Sequence, residues 1–106
     1  MSTYRPADPE NDFEAILDSA RESPSGLRLL GVCLGAARFL IEKNKAYGDS
    51  ALKPMRIFSK ADAVEQIRVR IDDKLSRLGR GQLAGEDAEL DMLGYLVLLF
   101  AARAND

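Results

Sequence analysis

The sequence predicts an all-α fold, a small four-helix bundle-like domain, on three observations. Apolar residues recur at helical spacing through most of the chain, capping residues stand where each apolar run begins, and no alternating strand pattern competes. The 106 residues fit one domain. Its polar start, with Pro6 and Pro9, predicts a flexible tail over 1–10 and a single helical domain over 11–106.

Asn11 followed by Glu14 has the pattern of a capping box, opening a short helix through Phe13, Ile16, Leu17 and Ala20. Ser23-Pro24 supplies an N-cap with proline in the first helical position. The second helix then runs from about Ser25 to Tyr47 through Leu30, Cys33, Leu34, Ala37 and Leu40, and Gly48 ends it. Within it, Gly31 and Gly35 form a GxxxG pattern that suits close helix packing. Gly48 to Ser59 is the one long connection, with Pro54 in its middle, and Met55, Ile57 and Phe58 are expected to fold back on the core.

Ser59 with Asp62 opens the third helix, roughly Lys60 to Leu78, whose buried stripe is predicted as Val64, Ile67, Ile71, Leu75 and Leu78. Gly79-Arg80-Gly81 breaks it. The last helix is predicted from near Gly85 to about Arg103, with Glu86, Asp87 and Glu89 at its positive end. From Leu90 onward it is apolar on nearly every side, which predicts a bundle centre or a homo-oligomer interface.

Composition narrows the chemistry. Hydrophobic residues make up 46% and charged residues 30%, a globular balance. The net charge of −2 argues against duplex nucleic acid as a partner, which calls for a basic excess. A lone cysteine, Cys33, cannot form an internal disulfide, so a reducing cytoplasm is the expected location and a buried structural thiol the expected role. Histidine is absent, which removes histidine-based catalytic triads and histidine-ligated zinc. Any metal would take oxygen ligands, which points to Mg²⁺ or Mn²⁺. Met1–Asp12 lacks the pattern of a signal peptide, the uncharged run Met92–Ala102 is short of the about 20 residues a span needs, and Arg38 interrupts Leu29–Ile41. No membrane association is expected.

Three stretches concentrate polar groups. Glu42–Ser50 sets Lys43, Asn44, Tyr47, Asp49 and Ser50 at a helix end entering the long loop, where turn chemistry alone would also explain them. Arg68–Arg77 carries Arg68, Arg70, Asp72, Lys74 and Arg77. Asp72 lies roughly 100° from the centre of the apolar stripe, while Arg68 and Lys74 flank it more closely, so the three are expected at a cleft rim. Glu86–Asp91 places Asp87, Asp91 and then Tyr95 one turn apart on one face. Asp87 has a capping explanation. Asp91, predicted in the second turn, needs a cation, a basic side chain or hydrogen bonds. Two carboxylates about 4 Å apart repel by roughly 4 kcal/mol at an effective dielectric of 20. Convergence of Asp72, Asp87 and Asp91 would therefore call for Mg²⁺ or an arginine, and without convergence Asp72 and Asp91 would each pair with a structural arginine.

Taken together, Lys43-Asn44, Tyr47-Gly48-Asp49-Ser50, Ile57-Phe58-Ser59, Arg70-Ile71-Asp72-Asp73-Lys74-Leu75-Ser76-Arg77, Glu86-Asp87 and Asp91 with Gly94-Tyr95-Leu96 resemble the first type of nucleotide modification associated domain. The resemblance covers about residues 35–100. It implies an all-α phage or prophage protein in which these polar positions line a nucleotide site. A more distant similarity, through Glu86-Asp87 and Asp91–Leu96, is to the MazG-like all-α nucleotide pyrophosphatases, which hold Mg²⁺ between acidic pairs on two helices. Here Asp72 and Asp73 are adjacent where two glutamates three apart are expected, and Ala88 stands three before Asp91.

The resemblance implies a nucleotide-binding protein of nucleotide metabolism, modification or defence evasion. Phosphates would meet Arg68, Arg70, Lys74 and Arg77, and Tyr47 or Tyr95 would meet a base. The alternatives are a MazG-like pyrophosphatase with Asp72, Asp87 and Asp91 as metal ligands, and a non-catalytic helical adaptor for another protein.

Overall fold

The computed structural model describes residues 4–81 and 87–104. Four helices account for most of them: α1 (Phe13–Ala20), α2 (Pro24–Ala46), α3 (Ala63–Gly79) and α4 (Ala88–Ala104). No strand occurs among the described residues, so the chain is all-α as its periodicity predicts. Internal contacts group it into two compact units, Met1–Lys43 and Asn44–Asp106.

In the first unit the predicted capping box is not made. The Asp8 carboxylate instead accepts hydrogen bonds from the backbone N–H of Glu10 and Asn11 and from the Asn11 side-chain amide at 2.7 Å. That ties residues 8–12 into a turn and makes Asn11 a donor, so α1 starts one residue later behind Asp12, whose side chain caps nothing. The Ser23 cap is as predicted: its hydroxyl accepts from the Gly26 N–H at 3.0 Å, with Pro24 opening α2. At this corner the helices approach closely, because a Cβ on Gly26 would stand 2.6 Å from the Ala20 carbonyl oxygen. Ala20 is buried there.

No residue of α2 is buried. Cys33, expected in a core, is exposed, as are Leu29, Val32 and Ile41. Arg38 does not disqualify the helix as a span by length and composition alone: α2 has 23 residues and an apolar window of mean hydropathy 1.3, none of it buried.

The second unit begins with the end of α2. Gly48 N–H bonds the Lys45 carbonyl and Asp49 N–H bonds the Asn44 carbonyl, with Gly48 at φ 61°. This paired pattern is a Schellman stop, which requires a left-handed residue that glycine supplies at little cost. The connection to α3 does not fold inward as expected. Met55 and Ile57 are exposed and Phe58 is 99% exposed. Local polar closure explains this: the Arg56 guanidinium donates twice to the Lys60 carbonyl, and the Lys60 ammonium donates to the carbonyls of Arg56 and Ile57. The loop satisfies its own backbone and turns its apolar side chains outward.

α3 is capped by Asp62, which accepts from the Glu65 N–H at 2.9 Å. The helix therefore begins at Ala63 and not near Lys60, and the Ser59 hydroxyl accepts from the Ala61 N–H outside it. α3 and α4 pack on each other. Ile67 is 1% exposed, while Leu75 of the predicted stripe is 53% exposed and Lys74 is buried in its stead. On a helical wheel Lys74 lies about 20° from Ile67 and Leu75 about 80°. The packed direction is thus rotated about 40° from the centre of the apolar stripe, towards the lysine. The predicted start of α4 at Gly85 and Glu86 lies outside the described residues; the helix itself begins at Ala88. Its first-turn amide, Leu90 N–H, donates to the Asp87 carboxylate at 3.0 Å, which bears out the capping role.

Candidate functional site

Two polar assemblies stand out in the second unit. The first joins the helices. Lys74 Nζ lies 3.2 Å from Asp91 Oδ2, with the lysine side chain 7% exposed and the aspartate side chain 27% exposed. Ala88 and Gly94, both buried, flank Asp91 three residues to either side, so the carboxylate sits within the packed face of α4. Because α4 starts at Ala88, Asp91 belongs to its first turn, where the positive helix end favours a carboxylate. That is one turn earlier than the sequence suggests. Lys74 is likewise deeper than a cleft rim.

Arg70 and Arg77 lie on the same side of α3, about 40° and 60° round from Lys74. Arg70 is exposed and Arg77 half-buried, which makes a basic strip beside the ion pair. Tyr95, half-buried, follows Asp91 by one turn of α4. Arg68 does not belong to this strip: it lies about 120° round from Lys74 and pairs with Glu65 at 2.7 Å.

The second assembly is the turn after α2. The Asn44 side-chain amide donates to Asp49 Oδ1 at 3.0 Å, and the Asp49 carboxylate stands 3.7 Å from the Lys53 ammonium. Asp49 itself is left-handed at φ 66°, directly after Gly48. A non-glycine residue held there costs of order 1 kcal/mol, offset here by its side-chain contacts. Tyr47 and Ser50 are exposed around this turn. Lys53 is the member that sequence reasoning missed, although its position four residues after Asp49 was the available signal. Lys43 falls in the first unit, where its ammonium sits 5.1 Å from the centre of the Phe39 ring.

The three acids expected as metal ligands are not brought together among the described residues. Asp87 is engaged as the cap of α4, Asp91 is paired with Lys74, and Asp72 is exposed about 160° round α3 from Lys74. Among the described residues no group of three or more acidic or thiol side chains is placed to hold a metal ion. The arrangement offers cationic and hydrogen-bonding contacts to an anion.

Comparison with family models, with curated proteins and with solved structures gives no match.

Proposed function

We propose that the second unit binds a nucleotide or nucleotide-derived phosphate compound without turning it over, in nucleotide metabolism, modification or defence evasion. The observation that carries this reading is the buried Lys74–Asp91 pair beside Arg70 and Arg77. A buried ion pair is often no more stabilising than well-packed apolar residues of the same volume. Leucine or methionine at both positions would satisfy the α3–α4 interface, so the charges ask for a purpose beyond packing. In this reading the strip Arg70, Lys74 and Arg77 meets phosphate oxygens, Asp91 fixes the lysine and accepts from the ligand, and Tyr95 stacks or hydrogen-bonds. The resemblance to the nucleotide modification associated domain supports it, since these positions belong to the motifs that carry that likeness.

The experiment is thermal stability against a panel of nucleoside mono-, di- and triphosphates and dinucleotides, with and without Mg²⁺. At about 100 times its dissociation constant a ligand adds roughly 2.7 kcal/mol, readily seen as a rise in Tm. No rise with any of them removes the reading. Release of pyrophosphate or monophosphate would replace it with the hydrolase.

A second reading, an adaptor that docks on another protein, is favoured by the outward-facing Met55, Ile57 and Phe58. Replacing all three with serine would abolish partner capture under that reading and leave nucleotide stabilisation intact under the first.

A further inference from the structure

We propose that α2 pairs antiparallel with α2 of a second copy of this chain, across the face that carries Gly31 and Gly35. From Leu29 to Ala37 the helix holds no charged residue, yet none of it is buried. A helix apolar on all sides is ordinarily covered. One face is shaped for a cover of its own kind. A Cβ built on Gly31 or on Gly35 would meet nothing within 4 Å. A shallow, open depression lies over Gly35, flanked by Arg38, Phe39, Glu42 and Lys43.

The charges select the partner and its direction. Taking Gly35 as the reference on the wheel, Arg28 lies about 20° to one side and Glu42 about 20° to the other, seven residues before and after it. A two-fold axis through Gly35 therefore sets Arg28 of each copy opposite Glu42 of the other, about 10 Å along the helix from the axis. The same axis brings Phe39 of each copy level with Gly31 of the other along the helix, on opposite flanks of the shared face. A parallel pair would instead oppose Arg28 to Arg28 and Glu42 to Glu42. Within one chain the two charges are about 21 Å apart along the helix and cannot meet.

The test is the mass of the intact chain in solution by sedimentation or light scattering, expected at twice the 11.7 kDa of one copy. Glu42→Arg alone, or Arg28→Glu alone, opposes like charges and should weaken the dimer by about tenfold or more. Combining the two should restore it. Restoration reports a contact between copies, because a merely folded helix gains nothing from the exchange. Circular dichroism checks that each variant keeps its helix. As an independent measurement, Gly35→Cys in a Cys33→Ser background should form a disulfide-linked dimer under mild oxidation, since position 35 lies on the axis. Native Cys33, about 160° round the helix, should not. A monomer at all concentrations, a combined exchange that fails to restore the dimer, or a chain that partitions as a monomer into lipid vesicles would each overturn the proposal.

Discussion

α2 and α4 are both largely apolar, and they end in different circumstances. α4 buries Ala88, Gly94 and Ala102 and packs on α3, whereas α2 buries nothing. Hydrophobicity alone does not separate them. What α4 has is a polar address: Asp91 meets Lys74 seventeen residues earlier, within the face on which the two helices pack. α2 offers instead a glycine-lined face with charges at its two ends, a surface that another helix can satisfy. The amount of apolar surface says that a helix wants cover, and the few polar groups on it say what the cover is.

The largest expected effect comes from making the same kind of truncation in both places. Ile67→Ala removes the one large side chain among the described residues that is almost wholly buried and should cost about 3 kcal/mol. Leu29→Ala, on an exposed part of α2 away from the proposed pairing face, should change stability by no more than about 0.5 kcal/mol. Urea denaturation of both variants measures the difference. Equal costs would mean that α2 is as well packed as α3 and would break the contrast.

The ion pair sharpens it next. Asp91→Ala removes the Asp91 carboxylate from beside the buried Lys74 and should cost about 3 kcal/mol, the low end for a buried pair because the aspartate is partly exposed. Lys74→Met together with Asp91→Leu should recover the wild-type stability or exceed it by about 1 kcal/mol, while losing all stabilisation by nucleotides. If that double variant folds well and still responds to nucleotides, the pair is structural and the proposed site lies elsewhere.

A smaller effect tests the first unit's own packing. Gly26→Ala places a methyl group against the Ala20 backbone carbonyl at a distance no real contact tolerates, so the corner between α1 and α2 must open. The expected cost is about 1–2 kcal/mol, against the about 1 kcal/mol gain that alanine gives an unhindered helix. A net gain in Tm would show that the two helices do not approach there.

Which features were legible in the sequence follows from their range. The Ser23 and Asp62 caps and the Gly48 stop bind within three to five residues, and their residue types announce them. The Asn11 cap failed because the Asp8 carboxylate just upstream takes the Asn11 side-chain amide as a donor, together with the Glu10 and Asn11 N–H groups. Lys74 was read at a rim because a wheel averages over all apolar residues, whereas the carboxylate it meets stands on another helix. Met55, Ile57 and Phe58 were expected inside on hydrophobicity. The reciprocal Arg56–Lys60 bonds that turn them out depend on a left-handed Arg56 that no residue type signals. Of the candidate site, Lys74, Asp91, Arg70, Arg77 and Tyr95 occupy the helix pair, whereas Asp72 and Arg68 share their segment of sequence but face elsewhere.

The smallest expected effect lies at the edge of the first unit, where the stabilising contacts are polar and solvent-facing. Hydrogen bonds from the Asn11 side chain, then from the Glu10 and Asn11 backbone, hold the Asp8 carboxyl below its ordinary range. A folded-state pKa below the unfolded value contributes stability that is present above the ordinary carboxylate pKa and lost as pH falls through the lowered one. The turn over 8–12 should therefore persist at neutral and mildly acidic pH and loosen only below the usual carboxylate range. A carboxyl NMR titration should give Asp8 a midpoint lower than that of a free aspartate, with the Glu10 and Asn11 amide resonances moving at the same midpoint. Asp8→Asn should remove that shared transition and speed hydrogen exchange at those two amides, while the amides of α3 and α4 stay as they were. An Asp8 midpoint at the ordinary value would mean the turn is not held by its carboxylate, and the start of α1 would then need another explanation.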